Sequence, residues 1–475
     1  MNFSYFEENV LSALRGQFST EQFGARLFMF HEDIQTPENF LVWFHERFHY
    51  LQSIFTPYGH LKWGAYRTTT SDIISAWREL PDKLKCSRKI PIAEYIEDRS
   101  PESIKIAGNI WFRNIPYQLY SAIEQDATNI DLFNILSSIN RDDISPEIEL
   151  MGEKYRFKGI DVFESFAKFE ESIMAELILG KSLDESIDPS ILNPEYYSAL
   201  YYFISQVGVE RLKEFPVACE LALTTPHIPS PIKLKTFQDN APNWRFVKII
   251  DVLKTDPNLP SLDYNDDKSF YVYSNTVLTA CGYDTLDGIW DSAEAYALQA
   301  DLSMAKEMKS AIDYKKAHPW MLSYPMCKPE FLSDEFNRFV PYYTITEDGV
   351  MYNIENVSLL EIMFENNYQA IAAQISGRVS NYCCDRHKMM CGDAYMRTEI
   401  CPQYRSGECN GYIDKDSLLP EIKLDESGNV EQGCFLEMIL NSMGTSIKNI
   451  DIGLIRPLHY NQLLSVIKAV HGEEI

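Results

Sequence analysis

The chain has 475 residues, 45% of them hydrophobic, enough for a large core and for two or three structural units. Lys and Arg number 43 against 69 Asp and Glu, and the net charge of -26 disfavours nonspecific nucleic-acid binding and adhesion to anionic membranes. The opening MNFSYFEENVLSALRGQ lacks a basic segment followed by an apolar one, and no run is apolar enough to span a membrane, so a cytoplasmic protein with reduced thiols is expected.

Residues 1–85 read as largely helical apart from ARLFMF, residues 25–30, a short strand candidate. The run TPENFLVWFHERFHYLQSIFTPYG predicts one buried helix. Thr36 suits the N-cap, Pro37 the first helical position and Glu38 the first turn. Phe40, Leu41, Phe44, Phe48, Leu51 and Phe55 give it an apolar body, and Thr56-Pro57-Tyr58-Gly59 ends it. Inside it stands HERFH. His45 and His49 are four apart and share a helix face, a spacing that suits Zn²⁺, and Glu46 follows the first imidazole. Two histidines on so apolar a helix need partners; a metal satisfies both at once, and hydrogen-bonded core histidines are the alternative. Gln52, one turn past His49, either contacts substrate or caps a buried polar group.

Residues 90–140 predict two or three helices, and 147–157 a hairpin turning near Gly152. The next helix spans 159–178. Asp161 reads as its N-cap, with Glu164 at capping-box spacing. Glu164 is one candidate for a third metal ligand, with Glu170 and Glu171 as candidates to orient the imidazoles. Residues 192–225 read as helical, 226–243 as a Pro-rich loop, and 244–315 as helical with one polar interruption. A second hairpin is expected over 339–354. It precedes an apolar helix at 358–375 whose Glu361 and Glu365 compete with Glu164 for the ligand role.

Residues 381–412 gather Cys383, Cys384, Cys391, Cys401 and Cys409 around His387. The segment is too poor in aliphatics to build a core, so a structural Zn²⁺ held by Cys384, Cys391, Cys401 and Cys409 is the leading reading. An Fe–S cluster (Cys401 precedes Pro402) and ordinary buried thiols are the others. The expected organisation is a catalytic region over 1–230, a mostly helical region over 231–380 and the Cys-rich segment with C-terminal helices over 381–475.

The HERFH string resembles the H-E-x-x-H signature of the zincin metallopeptidases. The metzincin extension is excluded, since Gln52 and Phe55 stand where its Gly and His belong. Glu164 opens E-S-F-A, which resembles the E-x-x-A string of gluzincin families, and the small Ala167 would let the two helices approach closely. The resemblance implies a mainly α (α+β) zincin-like fold with a few short strands and a catalytic Zn²⁺ on His45, His49 and Glu164. It implies Glu46 as general base on a metal-activated water. It further implies an edge strand beside the metal helix to pair with a substrate peptide, and a Tyr or His for the oxyanion, with Tyr58, His60, Tyr155 and His227 available. The function so implied is a zinc endopeptidase acting on an intracellular protein or peptide, with no nucleic-acid partner. The alternatives are an inactive zincin-like binding or regulatory protein, against which the presence of Glu46 argues, and a metal hydrolase of a non-peptide bond.

Overall fold

A computed structural model describes residues 16–19, 24–27, 29–65, 145–187, 192–225, 238–297, 303–319 and 321–323. It also describes strand segments 343–346, 349–352, 381–383, 398–400, 412–413, 420–424 and 430–433, and positions 189, 339 and 341. The chain divides into two units, Met1–Gly64 with Leu119–Glu355, and Ala65–Gln118 with Asn356–Ile475. The expected helices at 90–140 and 358–375, with Glu361 and Glu365, lie outside the described residues, as do Cys384, His387, Cys391, Cys401 and Cys409.

The described part of the first unit is mainly helical. Strands β1 (Gly16–Ser19) and β2 (Gly24–Leu27) pair antiparallel. The strand at 16–19 corrects the expectation of helix there: Gly16 is a poor helix former, and pairing with β2 supplies the backbone partners instead. Helix α1 spans Pro37–Phe55 and begins where Pro37 predicts. The Thr36 side chain does not cap it; its hydroxyl donates to the Asp33 carbonyl at 2.9 Å. Burial on α1 extends to nearly every residue from Phe44 to Phe55, so this is an interior helix.

The stop at Thr56 is tight. The Thr56 hydroxyl donates to the Gln52 carbonyl at 2.7 Å, and the Gly59 N–H donates to that hydroxyl at 3.1 Å. A Cβ on Gly59 would sit 2.2 Å from the Ser53 carbonyl oxygen, so only glycine allows the helical stretch over 57–65 to turn back this closely.

The hairpin forms as β3 (Glu147–Leu150) and β4 (Glu153–Arg156), its turn made by Met151 and Gly152 with φ of 54° and 83°. Two positive φ angles in a two-residue loop match the twist of the strands. The hairpin leads into α2 (Gly159–Leu179). Asp161 is not the N-cap, as expected, but the third helical residue. Lys158 is the cap, and Asp161 accepts its backbone N–H at 2.6 Å and the Tyr155 hydroxyl at 2.8 Å. Helices α1 and α2 pack face to face: Phe48 meets Phe166 edge-on at 4.9 Å between centroids, and Ala167 is fully buried.

The stretch at 192–225 is two helices, α3 (Ser198–Val207) and α4 (Phe215–Ala222), joined by a 3₁₀ segment. Gly208, at φ 105°, makes the break that uninterrupted apolar periodicity hid. Helices α5 (Pro242–Thr255), α6 (Asp267–Ala280), α7 (Leu286–Ala297) and α8 (Ser303–Ala317) follow. Strands β5 (Tyr343–Thr346) and β6 (Gly349–Tyr352) form the second expected hairpin and complete a sheet of order β1-β2-β5-β6, with β2 and β5 parallel. Strand β2 is therefore bonded on both sides and is no edge. In the second unit, β7 (Asn381–Cys383) pairs parallel with β8 (Thr398–Ile400). Strands β9 (Tyr412–Ile413), β10 (Pro420–Leu424) and β11 (Val430–Gly433) form an antiparallel sheet. No helix among the described residues is long and apolar enough to cross a membrane.

Candidate metal centre

Helical spacing puts His45 and His49 on one face of α1, and the packing of α2 brings Glu164 against them. The His45 and His49 Nε2 atoms lie 3.1 Å apart, and Glu164 Oε2 lies 3.1 Å and 3.2 Å from them. Among the described residues this is the group of His, Cys, Asp or Glu that converges in the manner of a metal site.

The outer nitrogens decide what that triangle is. His45 Nδ1 lies 3.0 Å from Glu171 Oε2, and an ionised carboxylate can only accept, so Nδ1 carries the proton. Glu171 is itself held by Lys168, whose Nζ donates to Oε1 at 2.6 Å. His49 Nδ1 lies 2.8 Å from Gln52 Oε1, again an acceptor. In the neutral imidazoles both Nε2 atoms therefore present lone pairs to each other and to a carboxylate oxygen. Three mutually repelling donors at this spacing fit a cation. Tetrahedral Zn²⁺ with bonds of about 2.0–2.1 Å sets its ligand atoms roughly 3.3–3.4 Å apart, close to the separations here.

Without a cation, protons take its place. Burial alone would lower the His45 pKa, but the Glu164 and Glu171 carboxylates outweigh it and raise it to about 10. His49 is raised in the same way, chiefly by Glu164. Burial would raise Glu164, and the two imidazoles reverse that and lower it. Burial pushes Glu46 up to about 7, tempered by His45 and His49, so its carboxylate is poised to exchange a proton near neutral pH.

Of the other expected residues, Glu171 meets an imidazole and Glu170 does not. Glu170 is 1% exposed on another side of α2, and neither carboxylate oxygen has a hydrogen-bond partner among the described residues. His60 turns away from the site and bonds the Ile54 carbonyl; burial lowers it to about 4. Tyr155 is taken by Asp161, Tyr58 packs on Phe163 at 5.4 Å between centroids, and His227 lies outside the described residues. The sequence reading missed Tyr196. It sits on a short 3₁₀ turn, Pro194–Tyr196, with its ring centroid 5.8 Å from that of His45. Burial raises its hydroxyl pKa, and the charges of Glu164 and Glu46 raise it further. The Asn193-Pro194 pair marked a turn there, but nothing local marked this tyrosine among 28.

Compared with known proteins, the chain matches no family model, no curated protein and no solved structure.

Proposed function

We propose that the first unit is a zinc-dependent hydrolase that cuts peptide bonds, with His45, His49 and Glu164 as metal ligands and Glu46 as general base. One observation carries the reading: His45 Nε2, His49 Nε2 and Glu164 Oε2 converge at 3.1–3.2 Å, with the Glu46 carboxyl on the residue after His45. A Zn²⁺ ion held there supplies Lewis acidity and a neutral-pH source of nucleophilic water. Glu46 takes the water proton on its carboxylate and delivers it to the leaving amine nitrogen. Glu171, braced by Lys168, keeps the His45 ring in its Nδ1–H tautomer. Tyr196, whose ring lies against His45, would donate its hydroxyl to the scissile carbonyl oxygen as that oxygen gains negative charge.

The test is zinc content beside turnover. The purified protein should hold a Zn²⁺ that is lost on His45→Ala and should cleave members of a peptide library. Glu46→Gln should keep the zinc and lose about 10²–10⁴-fold in rate. Tyr196→Phe should keep the zinc and lose on the order of 10²-fold in kcat. A wild-type protein without affinity for Zn²⁺ would refute the proposal, and unchanged cleavage by Glu46→Gln would remove Glu46 from it.

A further inference from the structure

Gln52 does more than fill the space behind His49. It is fully buried, and its one amide touches both helices that build the site. Its Nε2 donates to the Phe163 main-chain carbonyl on α2 at 3.0 Å, while its Oε1 faces His49 Nδ1 at 2.8 Å. The direction of this relay follows from one atom. A carbonyl can only accept, so the amide must turn its NH₂ to Phe163. That leaves Oε1 for His49, so the neutral imidazole carries its proton on Nδ1 and offers an unprotonated Nε2 to a metal. Phe163 is the residue immediately before Glu164. The contact that selects the ligating nitrogen of His49 thus also holds the backbone of the third ligand.

We infer that Gln52 is the positioning residue of the metal centre. It reads the arrival of α2 through the Phe163 carbonyl and converts it into the metal-binding tautomer of His49. The inference rests on the zinc reading above and adds a residue that selects the ligand atom. The two imidazoles are backed differently: His45 by a carboxylate that Lys168 neutralises, His49 by a neutral amide. An ionised carboxylate at position 52 would accept from His49 but cannot donate to Phe163, so it separates the two halves of the relay.

The experiment measures Zn²⁺ affinity by chelator competition and the visible absorption of the Co²⁺-loaded full-length protein. The proteins are the wild type, Gln52→Met, Gln52→Glu and, as a stability control remote from the metal, Tyr273→Phe. Tyr273 donates to Glu214 in the interior, and removing that bond should lower the melting temperature without touching the metal. Gln52→Met should bind Zn²⁺ about 10–100-fold more weakly and alter the Co²⁺ spectrum. Gln52→Glu should recover most of the affinity, because His49 keeps an acceptor. Tyr273→Phe should leave both readouts unchanged. If the wild type binds Zn²⁺ and Gln52→Met binds it equally well with the same Co²⁺ spectrum, the inference is overturned and the zinc reading stands. If Gln52→Met and Tyr273→Phe weaken binding alike, Gln52 acts only through stability and the inference is likewise overturned. If the wild type takes up neither ion, the zinc reading falls and the inference with it.

Discussion

Two neighbouring carboxylates on α2 live in opposite worlds. Glu171 faces α1, accepts from His45 and Lys168, and is lowered: burial would raise it, but the His45 hydrogen bond and the Lys168 charge prevail. Glu170, one residue earlier, faces an interior where Cys219 of α4 is the ionisable group that feels it, and burial drives its pKa far up. A step of one residue turns a helix by about 100°. The difference is one of partners more than of depth: Glu171 keeps 16% of its side chain exposed and Glu170 is 1% exposed, but Glu171 alone meets a counter-charge. A buried charge survives where a counter-charge and hydrogen bonds meet it, and otherwise the group keeps its proton.

The comparison can be broken most forcefully at the metal side. Glu164→Ala should abolish stoichiometric zinc, a loss of more than about 100-fold in affinity, beyond what removal of any orienting group costs. Competition with a chromophoric chelator measures this directly. Zinc held undiminished by Glu164→Ala would reassign the third ligand.

Substitution of the two neighbours sharpens the contrast. Glu171→Gln should weaken zinc by about 10–100-fold, because His45 loses an anionic acceptor. Glu170→Gln should leave affinity unchanged. Equal effects in the two variants would mean that helix face does not govern their roles.

The smallest expected effect is thermodynamic. A carboxyl raised on folding binds its proton more tightly in the native state, so its contribution is fully present below the ordinary carboxylate range. It declines as pH rises towards the native value. Glu170→Gln removes that titration. Its stability relative to wild type should therefore improve steadily as pH rises from acid towards alkaline, as read from urea unfolding in a pH series. A pH-independent difference would show that folding does not raise the Glu170 pKa.

What the sequence made legible was local. His45, Glu46 and His49 sit within five residues, and helical spacing alone places the imidazoles on one face. The hairpin before α2 was readable from the turn at Gly152, and Glu164 from its place in E-S-F-A. Side-chain partners set by packing were not readable. Nothing near Glu170 and Glu171 says which of them meets His45, because only the docking of α1 and α4 orients the helix. The position of Tyr196, and the carbonyl that Gln52 finds across the helix pair, belong to the same class. Gly208, which divides an apolar stretch into two helices, was visible as a glycine, but its positive φ was not.

Glu164 lies 115 and 119 residues beyond His49 and His45 across the α1–α2 contact. A chain still emerging from the ribosome holds both imidazoles long before Glu164 is synthesised, and two nitrogens grip an ion far less firmly than a complete set. Closing so wide a loop is entropically costly, and it rewards the chain only when the helices dock. On the proposed zinc reading, metal loading should therefore come after tertiary assembly, with the ion as a final lock on a framework already built. Chains truncated before this helix would stay apo, which delays any hydrolytic potential until the fold is in place.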